Sequence, residues 1–370
     1  MSTLKVDAIV DSSAGNTTTI NGTTPTAYNT MGKNRIINGA MEIDQRSAGT
    51  STTVTGNSYV TCDRWQTFSS QASKYSVQQN AGSVTPPAGF SNYLGVTSLS
   101  SYSISSTDIF NITQIIEGYN TVDLAWGTSD AKTITVSFWV RSSLTGTFGG
   151  VVRNFAGTQN YPFTYTINSA NTWEQKSITI AGSTTGTWIS GNGRSLYLMI
   201  NLGTGSTYSG TAGSWAGGNL WSATGATSVV GTSGATFYIT GVQLEVGSVA
   251  TEFERRPYGT ELALCQRYFW KWGGDPYTPW GIGSCDNANV SIVYFLQCPV
   301  PMRTSPTLSM GGANRVFPGG SLSSNTLPYS QRTNQTCYFG ISATGVALNN
   351  AYIVGASNDT SAYFQGDAEL

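Results

Sequence analysis

The clearest pattern along the chain is a two-residue alternation of apolar and polar positions. In "KTITVSFWVRSS", Ile134, Val136, Phe138 and Val140 fall on one face, with Thr133, Thr135, Ser137, Trp139 and Arg141 on the other. "SLYLMINLG" repeats the pattern with Leu196, Leu198, Ile200 and Leu202, and "TWEQKSITI" adds a third segment between "NSAN" and "AGSTTG". Successive side chains of a strand point to opposite sides, so each segment predicts a strand with one buried face. Clusters of Gly, Ser, Thr and Asn separate the segments as turns. No stretch from Asn34 to Pro257 shows a helical period, which predicts an all-β antiparallel sandwich. In "ATFYITGVQLEVG" the apolar phase runs Phe237, Ile239 and then Val242, Leu244, Val246. A one-residue slip beside Gly241 predicts a β-bulge.

After Pro257 the period changes. "GTELALCQRYFW" predicts a short helix with Thr260 as N-cap and Glu261 in the first turn, where the helix dipole favours an anion. Leu262, Cys265 and Phe269 share one face; Leu264 and Tyr268 form a second. Such a helix wants partners on both sides, the sandwich on one and a neighbouring subunit on the other. Residues 272–370 turn β-like again, with "SIVYFLQCPV" as a nearly continuous apolar strand and "QTCYFGIS", "AYIVGAS" and "SAYFQG" as shorter ones. That length suffices for a small independent β domain. Residues 1–33 have only scattered apolar side chains (Leu4, Val6, Ile9, Val10, Ile20), too few to offset the entropy of ordering. The expected division is an N-terminal attachment arm (1–33), a sandwich (34–257), a linker helix (258–271) and a C-terminal β domain (272–370).

Composition narrows the chemistry. Charged residues are 10% of the 370, while hydrophobic residues are 39% and aromatics 12%. Enough apolar surface is present to order the chain, and its polarity comes from uncharged side chains. A net charge of −1 and no long Lys/Arg run argue against nucleic acid as the partner. With no histidine, a Ser-His-Asp triad and a His-ligated zinc are excluded. The five cysteines (Cys62, Cys265, Cys285, Cys298, Cys337) are scattered, and fit small buried hydrophobes better than a disulfide framework or a metal site. No apolar run approaches the ~18 residues of a membrane span, and "MSTLKVDAIVDSSAG" lacks the apolar core of a signal peptide, so synthesis in the cytosol without export is expected.

Two stretches carry a resemblance. "NRIINGAMEIDQRS…CDRW" (Asn34 to Trp65) and "ITGVQLEVGSVATEFERRPYGTELALCQRYF" (Ile239 to Phe269) resemble the start and end of a module recurrent in bacteriophage tail-fibre and related virion proteins. "ITQIIEG" and "TITVSFWVRSS" fall where the module's strands would be, and "MSTLKVDAIVD" is similar to N-termini of phage structural proteins. The resemblance implies a jelly-roll sandwich similar to carbohydrate-binding modules, carried on a homotrimeric fibre that attaches the virus to its host. It places the chain in the virion tail, assembled in the host cytoplasm, with residues 1–33 docked on a tail or adaptor protein. Such modules often hold a structural calcium through an acid near the start and another in the last strand. Glu42 matches the first, whereas Thr240-Gly241 replaces the second, which leaves an ion that takes about six to eight oxygens short of a ligand. No other cofactor is expected.

For chemistry, glycan binding is favoured. A sugar ring packs its C–H face on an aromatic ring and needs planar donors and acceptors at the rim. In "WKWGGDPYTPWGIG", read as a loop, Trp272, Tyr277 and Trp280 with Asp275 offer that combination; packing of a joint between helix and domain is the alternative, above all for Trp270 and Trp272. A second candidate loop, "GGANRVFPGGSLSSNTLPYSQRTNQ", presents Arg315, Phe317, Tyr329 and Arg332. Glycan cleavage would need two acids roughly 5–10 Å apart, and no motif pairs Asp275, Asp286, Asp359, Asp367 or Glu369, so no enzymatic activity is expected. The charges Glu252, Glu254, Arg255, Arg256, Glu261 and Arg267, together with Leu262, Cys265 and Phe269, mark a joint between domains or subunits, with bidentate Arg–Glu pairs. The expected function is a tail fibre that binds a host surface polysaccharide or lipopolysaccharide. A baseplate or capsid decoration protein and a stand-alone carbohydrate-binding module or adhesin are the alternatives, with a depolymerase behind them.

Overall fold

The computed structural model describes residues 32–370 except 288–290, 323–324, 326 and 328, together with the side chains of all but 286, 287, 291–295, 321, 329 and 330 among them. Residues 1–31 of the expected arm lie outside that description. The chain divides into two units. One takes the chain up to Glu42 with Ser51–Ser58 and Gln66–Arg256; the other takes Ile43–Thr50, Tyr59–Trp65 and Pro257–Leu370. The division is not linear in sequence. Two short pieces near the start belong with the end of the chain, and so does the helix expected to be a linker.

The first unit is an antiparallel sandwich. In chain order its strands are β1 (Thr52–Thr53), β2 (Trp65–Ser69), β3 (Tyr75–Gln79), β4 (Leu94–Ser98), β5 (Ile109–Glu117), β6 (Ile134–Ser142), β7 (Gly146–Asn154), β8 (Asn160–Ile167), β9 (Glu174–Ile180), β10 (Arg194–Thr204), β11 (Ser209–Gly210), β12 (Ser222–Ala223) and β13 (Thr236–Val246). One sheet has the order β1-β3-β4-β13-β6-β9 and the other β2-β5-β10-β7-β8. The chain changes sheet at most connections, which is the wiring of a jelly roll. Aromatic side chains from the two sheets interdigitate: Phe138 meets Tyr165 at 5.0 Å and Phe148 meets Phe237 at 5.9 Å between centroids.

The alternating segments form the expected strands β6, β9 and β10. On β9 the alternation survives as exposure because it is an edge strand. On β10 it does not, since residues Ser195 to Gly203 are buried on both faces at the centre of the sheet. The bulge also stands: the β13–β6 register slips between Thr240 and Gln243. Gly241 has φ +60° there, and a Cβ would lie 2.6 Å from the Phe90 ring. Only glycine meets both demands.

The two stretches that carry the resemblance meet in space. Residues 34–39 run beside β13, with hydrogen bonds from Arg35 N to Leu244 O and from Val242 N to Gly39 O. The approach is so close that a Cβ on Gly39 would sit 2.2 Å from Val242 O. Asn34 Oδ1 accepts from Ile36 N and Leu244 N, while Gln114 bonds both the N–H and the carbonyl of Ile37 at 2.8 Å.

The charge cluster closes this seam. The Glu254 carboxylate accepts from Gly32 N and, at 2.7 Å, from Asn34 N, and Arg256 donates to the carbonyls of Asn34 and Ile36. Glu254 and Arg256 pair at 3.6 Å. Arg255 departs from the expected Arg–Glu pairing; its guanidinium lies over Phe90 (4.6 Å) and Phe253 (5.6 Å). Exposed Glu252 contributes its carbonyl to Lys33 Nζ at 2.7 Å. These cationic and anionic side chains thus tie the end of the sandwich stretch to its beginning within one chain.

The second unit starts with α1 (Tyr258–Gln266), capped by Pro257 rather than by the expected Thr260. Proline suits that place because its φ is already helical and the first turn needs no N–H from it. Glu261 and Cys265 are buried, Leu262 is half-buried, and Arg267 caps the C-terminus, its carbonyl accepting from Arg303 N. Phe269, expected on the helix, is the first residue of a strand.

The strands of this unit are β14 (Phe269–Gly273), β15 (Pro279–Asn287), β16 (Ser291–Gln297), β17 (Thr307–Gly311), β18 (Asn314–Phe317), β19 (Ser321–Leu322), β20 (Tyr329–Arg332), β21 (Thr336–Ile341), β22 (Ala343–Thr344), β23 (Ala351–Ala356) and β24 (Tyr363–Asp367). They make a three-stranded sheet, β14-β24-β17, a six-stranded sheet, β18-β23-β15-β16-β21-β20, and the pair β19-β22. Both stretches expected as loops therefore contain strands. The core gathers around Phe364, which stacks on Phe339 (5.0 Å) and Trp280 (6.0 Å) and meets Trp270 at 5.7 Å. All five cysteines are buried, and none is in a disulfide. No helix among the described residues is long and apolar enough to cross a membrane.

Candidate functional site

The turn joining β14 to β15 is built for one conformation. Gly273 (φ +144°) passes so close to Ala362 that a Cβ would lie 2.2 Å from its carbonyl oxygen, and Gly274 follows at φ +98°. Tyr277 is then held at φ +63°, a left-handed conformation that costs a non-glycine residue about 1–2 kcal/mol. The neighbouring backbone fixes it there. Tyr277 N donates to Ser357 O (2.9 Å), Ala356 N donates to Thr278 O (2.8 Å), and Thr278 Oγ1 donates to Asp275 O (2.9 Å). The result is a phenol ring turned outward, 51% exposed, with exposed Asp275 on the same turn.

Arg315 covers that ring from β18. Its register partner on β23 is Gly355, where a Cβ would meet Thr278 O at 2.3 Å. The guanidinium carbon lies 4.6 Å from the Tyr277 ring centroid and 5.5 Å from that of Phe317. Arg315 and Phe317 share one face of β18 because they are two residues apart, while Val316 between them is buried. Phe317 is 52% exposed. The surface therefore carries two outward rings with a guanidinium between them and a carboxylate nearby. Rings offer apolar faces, the guanidinium a planar fork of donors, and the carboxylate acceptors.

The exposed face continues across the sheet. Phe317 pairs with Ile353, and Ile353 with Ile282; all three are exposed, as is Tyr338 on β21. No local pattern marked Ile282, Ile353 or Tyr338, because only strand register puts them in line with Phe317.

Other candidates fall elsewhere. Trp280 is 6% exposed and stacks on Phe364, so its faces serve the core and not a sugar. Burial follows from its strand position, where alternation points it inward. Trp272 is half-buried and packs 4.7 Å from the fully buried Trp270. Arg332 is exposed on β20, the edge of the six-stranded sheet opposite to β18, so Arg315 and Arg332 are far apart rather than on one loop. Tyr329 opens β20, and its side chain lies outside the described residues.

Of the acids, Asp359 accepts from the N–H groups of Ala313 and Ser361, while Asp367 and Glu369 pair with Arg46. Glu42 is half-buried, and its carbonyl accepts from Gln79 Nε2. At the bulge, Thr240 Oγ1 donates to Asn92 O at 2.7 Å. Among the described residues no group of three or more His, Cys, Asp or Glu side chains could hold a metal ion.

No protein-family model matches this sequence, and no curated protein matches it. Solved structures do. The enzymatically active domain of bacteriophage CBA120 tailspike protein 4 aligns over 58% of this chain at 13% identity and a TM-score of 0.31. This chain spans only 21% of that tailspike chain. The module TmCBM61, solved with beta-1,4-galactotriose, aligns over 58% of this chain and 99% of its own at 12% identity and a TM-score of 0.30. A family 11 carbohydrate-binding module from Clostridium thermocellum, solved with a mixed-linked tetrasaccharide, covers 55% of this chain and 100% of its own at 9% identity and a TM-score of 0.26. At these values no residue of this chain takes a role from any of them, and the all-β jelly roll rests on the sheets themselves.

Proposed function

We propose that this chain is a virion attachment protein of the tail-fibre kind, a homotrimer whose second unit binds a host surface glycan without cleaving it. The observation that carries this reading is the outward surface of Tyr277, Arg315 and Phe317. A hydrogen-bonded turn and a strand hold those groups at the surface. Rings for the sugar's C–H face and a guanidinium for its hydroxyls or acidic groups make a polysaccharide or lipopolysaccharide the fitting partner. Residues 1–33 would dock on a tail or adaptor protein, and the chain would then sit in the virion tail.

Two measurements test it. Binding to purified host polysaccharide and lipopolysaccharide should weaken about tenfold or more in Tyr277→Ala and in Arg315→Ala. Both side chains are peripheral to the core, so the melting curve should hardly move, and no new reducing ends should appear on incubation. Unchanged affinity in both variants overturns the glycan surface. Light scattering should give the mass of a trimer with and without residues 1–33, and a monomer in both would sink the fibre assignment. A second reading, a baseplate or capsid decoration protein, has the exposed row Phe317, Ile353, Ile282 and Tyr338 in its favour, because aliphatic side chains suit a protein partner better than a sugar.

A further inference from the structure

In the second unit, the end of β16 and the start of β21 bring two cysteines together. The strands pair so that Leu296 faces Cys337 and Gln297 faces Thr336. Cys298 carries the pairing one step further, its N–H donating to Gln335 O at 2.8 Å. Leu296, Cys298 and Cys337 are buried, whereas Gln297 between the first two is exposed. Both cysteines therefore point into the same core, diagonally across the ladder. Their sulfurs lie 3.9 Å apart. A disulfide joins sulfurs at about 2 Å, a difference that side-chain rotation can close.

The two thiols are not equivalent. Cys298 lies at the open end of its strand, between exposed Gln297 and exposed Pro299, and is 5% exposed; Cys337 is fully buried. A hydrogen bond from the Cys337 thiol holds the Cys298 thiol below its usual pKa, against the opposing effect of burial and with help from the Trp270 indole N–H. The same bond, together with burial, pushes Cys337 up. Trp270 Nε1 also donates to Met302 Sδ at 3.2 Å, which fixes the indole beside the pair. Elsewhere, burial and neighbouring carboxylates raise both Cys62 and Cys265. Cys298 is thus the more easily ionised and more accessible sulfur, and Cys337 is placed to follow it.

We infer that Cys298 and Cys337 form a disulfide when the folded chain meets a small-molecule disulfide oxidant. The Cys298 thiolate attacks one sulfur of the oxidant, giving a mixed disulfide and one small thiolate, which takes up the Cys298 proton. The Cys337 sulfur then attacks Cys298 Sγ, and its proton leaves with the second small thiol. Two electrons and two protons pass to the oxidant, which becomes two thiols. A reducing cytosol opposes this reaction and an oxidising exterior favours it. The cross-link closes residues 299–336, which hold β17 to β20 and with them Arg315 and Phe317. Closing such a loop restricts the unfolded chain, so oxidation stabilises the unit. The inference stands whether or not those side chains bind a glycan.

The test uses the purified full chain, fully reduced and then freed of reductant. It is exposed without denaturant to about 5 mM oxidised glutathione, an excess that drives exchange forward. Alkylation in denaturant and mass spectrometry should then count a fall from five free thiols to three, five less the two joined, with no glutathione retained. Chymotryptic peptides should show Cys298 linked to Cys337. The oxidised chain should melt about 5 °C or more above the reduced one, and dithiothreitol should abolish the difference. Cys337→Ser should stop at a glutathione adduct on Cys298, while Cys298→Ser should take up no glutathione and form no link. Persistence of all five thiols in the parent chain overturns the inference, as does a link between any other pair. The parent chain is read directly, so this outcome does not depend on either variant folding.

Discussion

Glu369→Ala is expected to destabilise the second unit by about 3–5 kcal/mol, the range for removing one partner of a buried ion pair. Glu369 is paired with Arg64 and, at 3.1 Å, with Arg46, and all three side chains are buried. Burial opposes the Arg64 charge, but the Glu369 carboxylate beside it more than compensates and raises the guanidinium's pKa. Alanine at 369 would leave two buried guanidinium groups without that carboxylate. Each also lies over a ring, Arg64 over Tyr268 and Arg46 over Phe269, both with the guanidinium carbon 3.6 Å from the centroid. Neighbouring bonds reinforce the clamp: Arg303 donates to the carbonyls of Ala368 (2.8 Å) and Glu369 (2.9 Å), and Tyr59 Oη donates to Leu370 O (3.2 Å). Urea melts followed by tryptophan fluorescence would give the loss directly. A double variant, Arg64→Met with Glu369→Leu, should recover part of it, because Arg64 no longer carries a desolvation cost, while Arg46 keeps only Asp367 at 3.2 Å. A loss under about 1 kcal/mol in the single variant, the size expected for a surface pair, would show that the clamp does not support the unit.

The second large effect is a pH dependence. Burial raises the carboxyl of Asp63 from its ordinary 3.8 to about 7, against the lowering influence of Arg46 and of hydrogen bonds from Gln45. Gln45 donates its backbone N–H at 3.1 Å and its amide at 2.5 Å. In the unfolded chain Asp63 titrates near its ordinary value. Between about pH 4 and 7 the folded state therefore holds a proton that the unfolded state releases, and stability must fall as pH rises through that window. A shift of about three units corresponds to about 4 kcal/mol at most. Asp63→Asn keeps the shape and cannot ionise, so its melting curve should lose this slope and lie above that of the parent at pH 7. Equal slopes for both proteins between pH 4 and 7 would refute the assignment.

The two effects share an origin that local sequence does not show. "MEIDQRS" and "CDRW" were legible as part of a recurrent motif, yet nothing in them indicated that Arg46, Asp63 and Arg64 pack with residues some three hundred positions later. Their charges look solvated until Tyr268, Phe269 and Glu369 are placed beside them. Arg64 even adopts φ +72° to reach its place. For the proposed glycan surface the sequence named Tyr277 and Arg315 by composition, whereas strand register brought them together and sent Arg332 to the other edge of the sheet. The Gly- and Pro-rich stretch around Trp280 points locally to a loop. Once it is a strand, alternation buries that ring. Cys298 and Cys337 stand 39 positions apart, and strand register had to be known before their sulfurs met.

Alternation by itself determined the all-β class, the positions of β6, β9 and β10, and the bulge at Gly241. Those are short-range consequences of side chains pointing to opposite faces of an extended backbone. Composition determined which chemistry is absent, since a chain without histidine cannot supply an imidazole. Only the tertiary structure decided which strands are buried on both faces, which charges become a clamp, and that segments 43–50 and 59–65 belong to the second unit. The reason is physical. Burial, desolvation and ion pairing depend on what lies within a few ångströms, and residues far apart in sequence supply most of that.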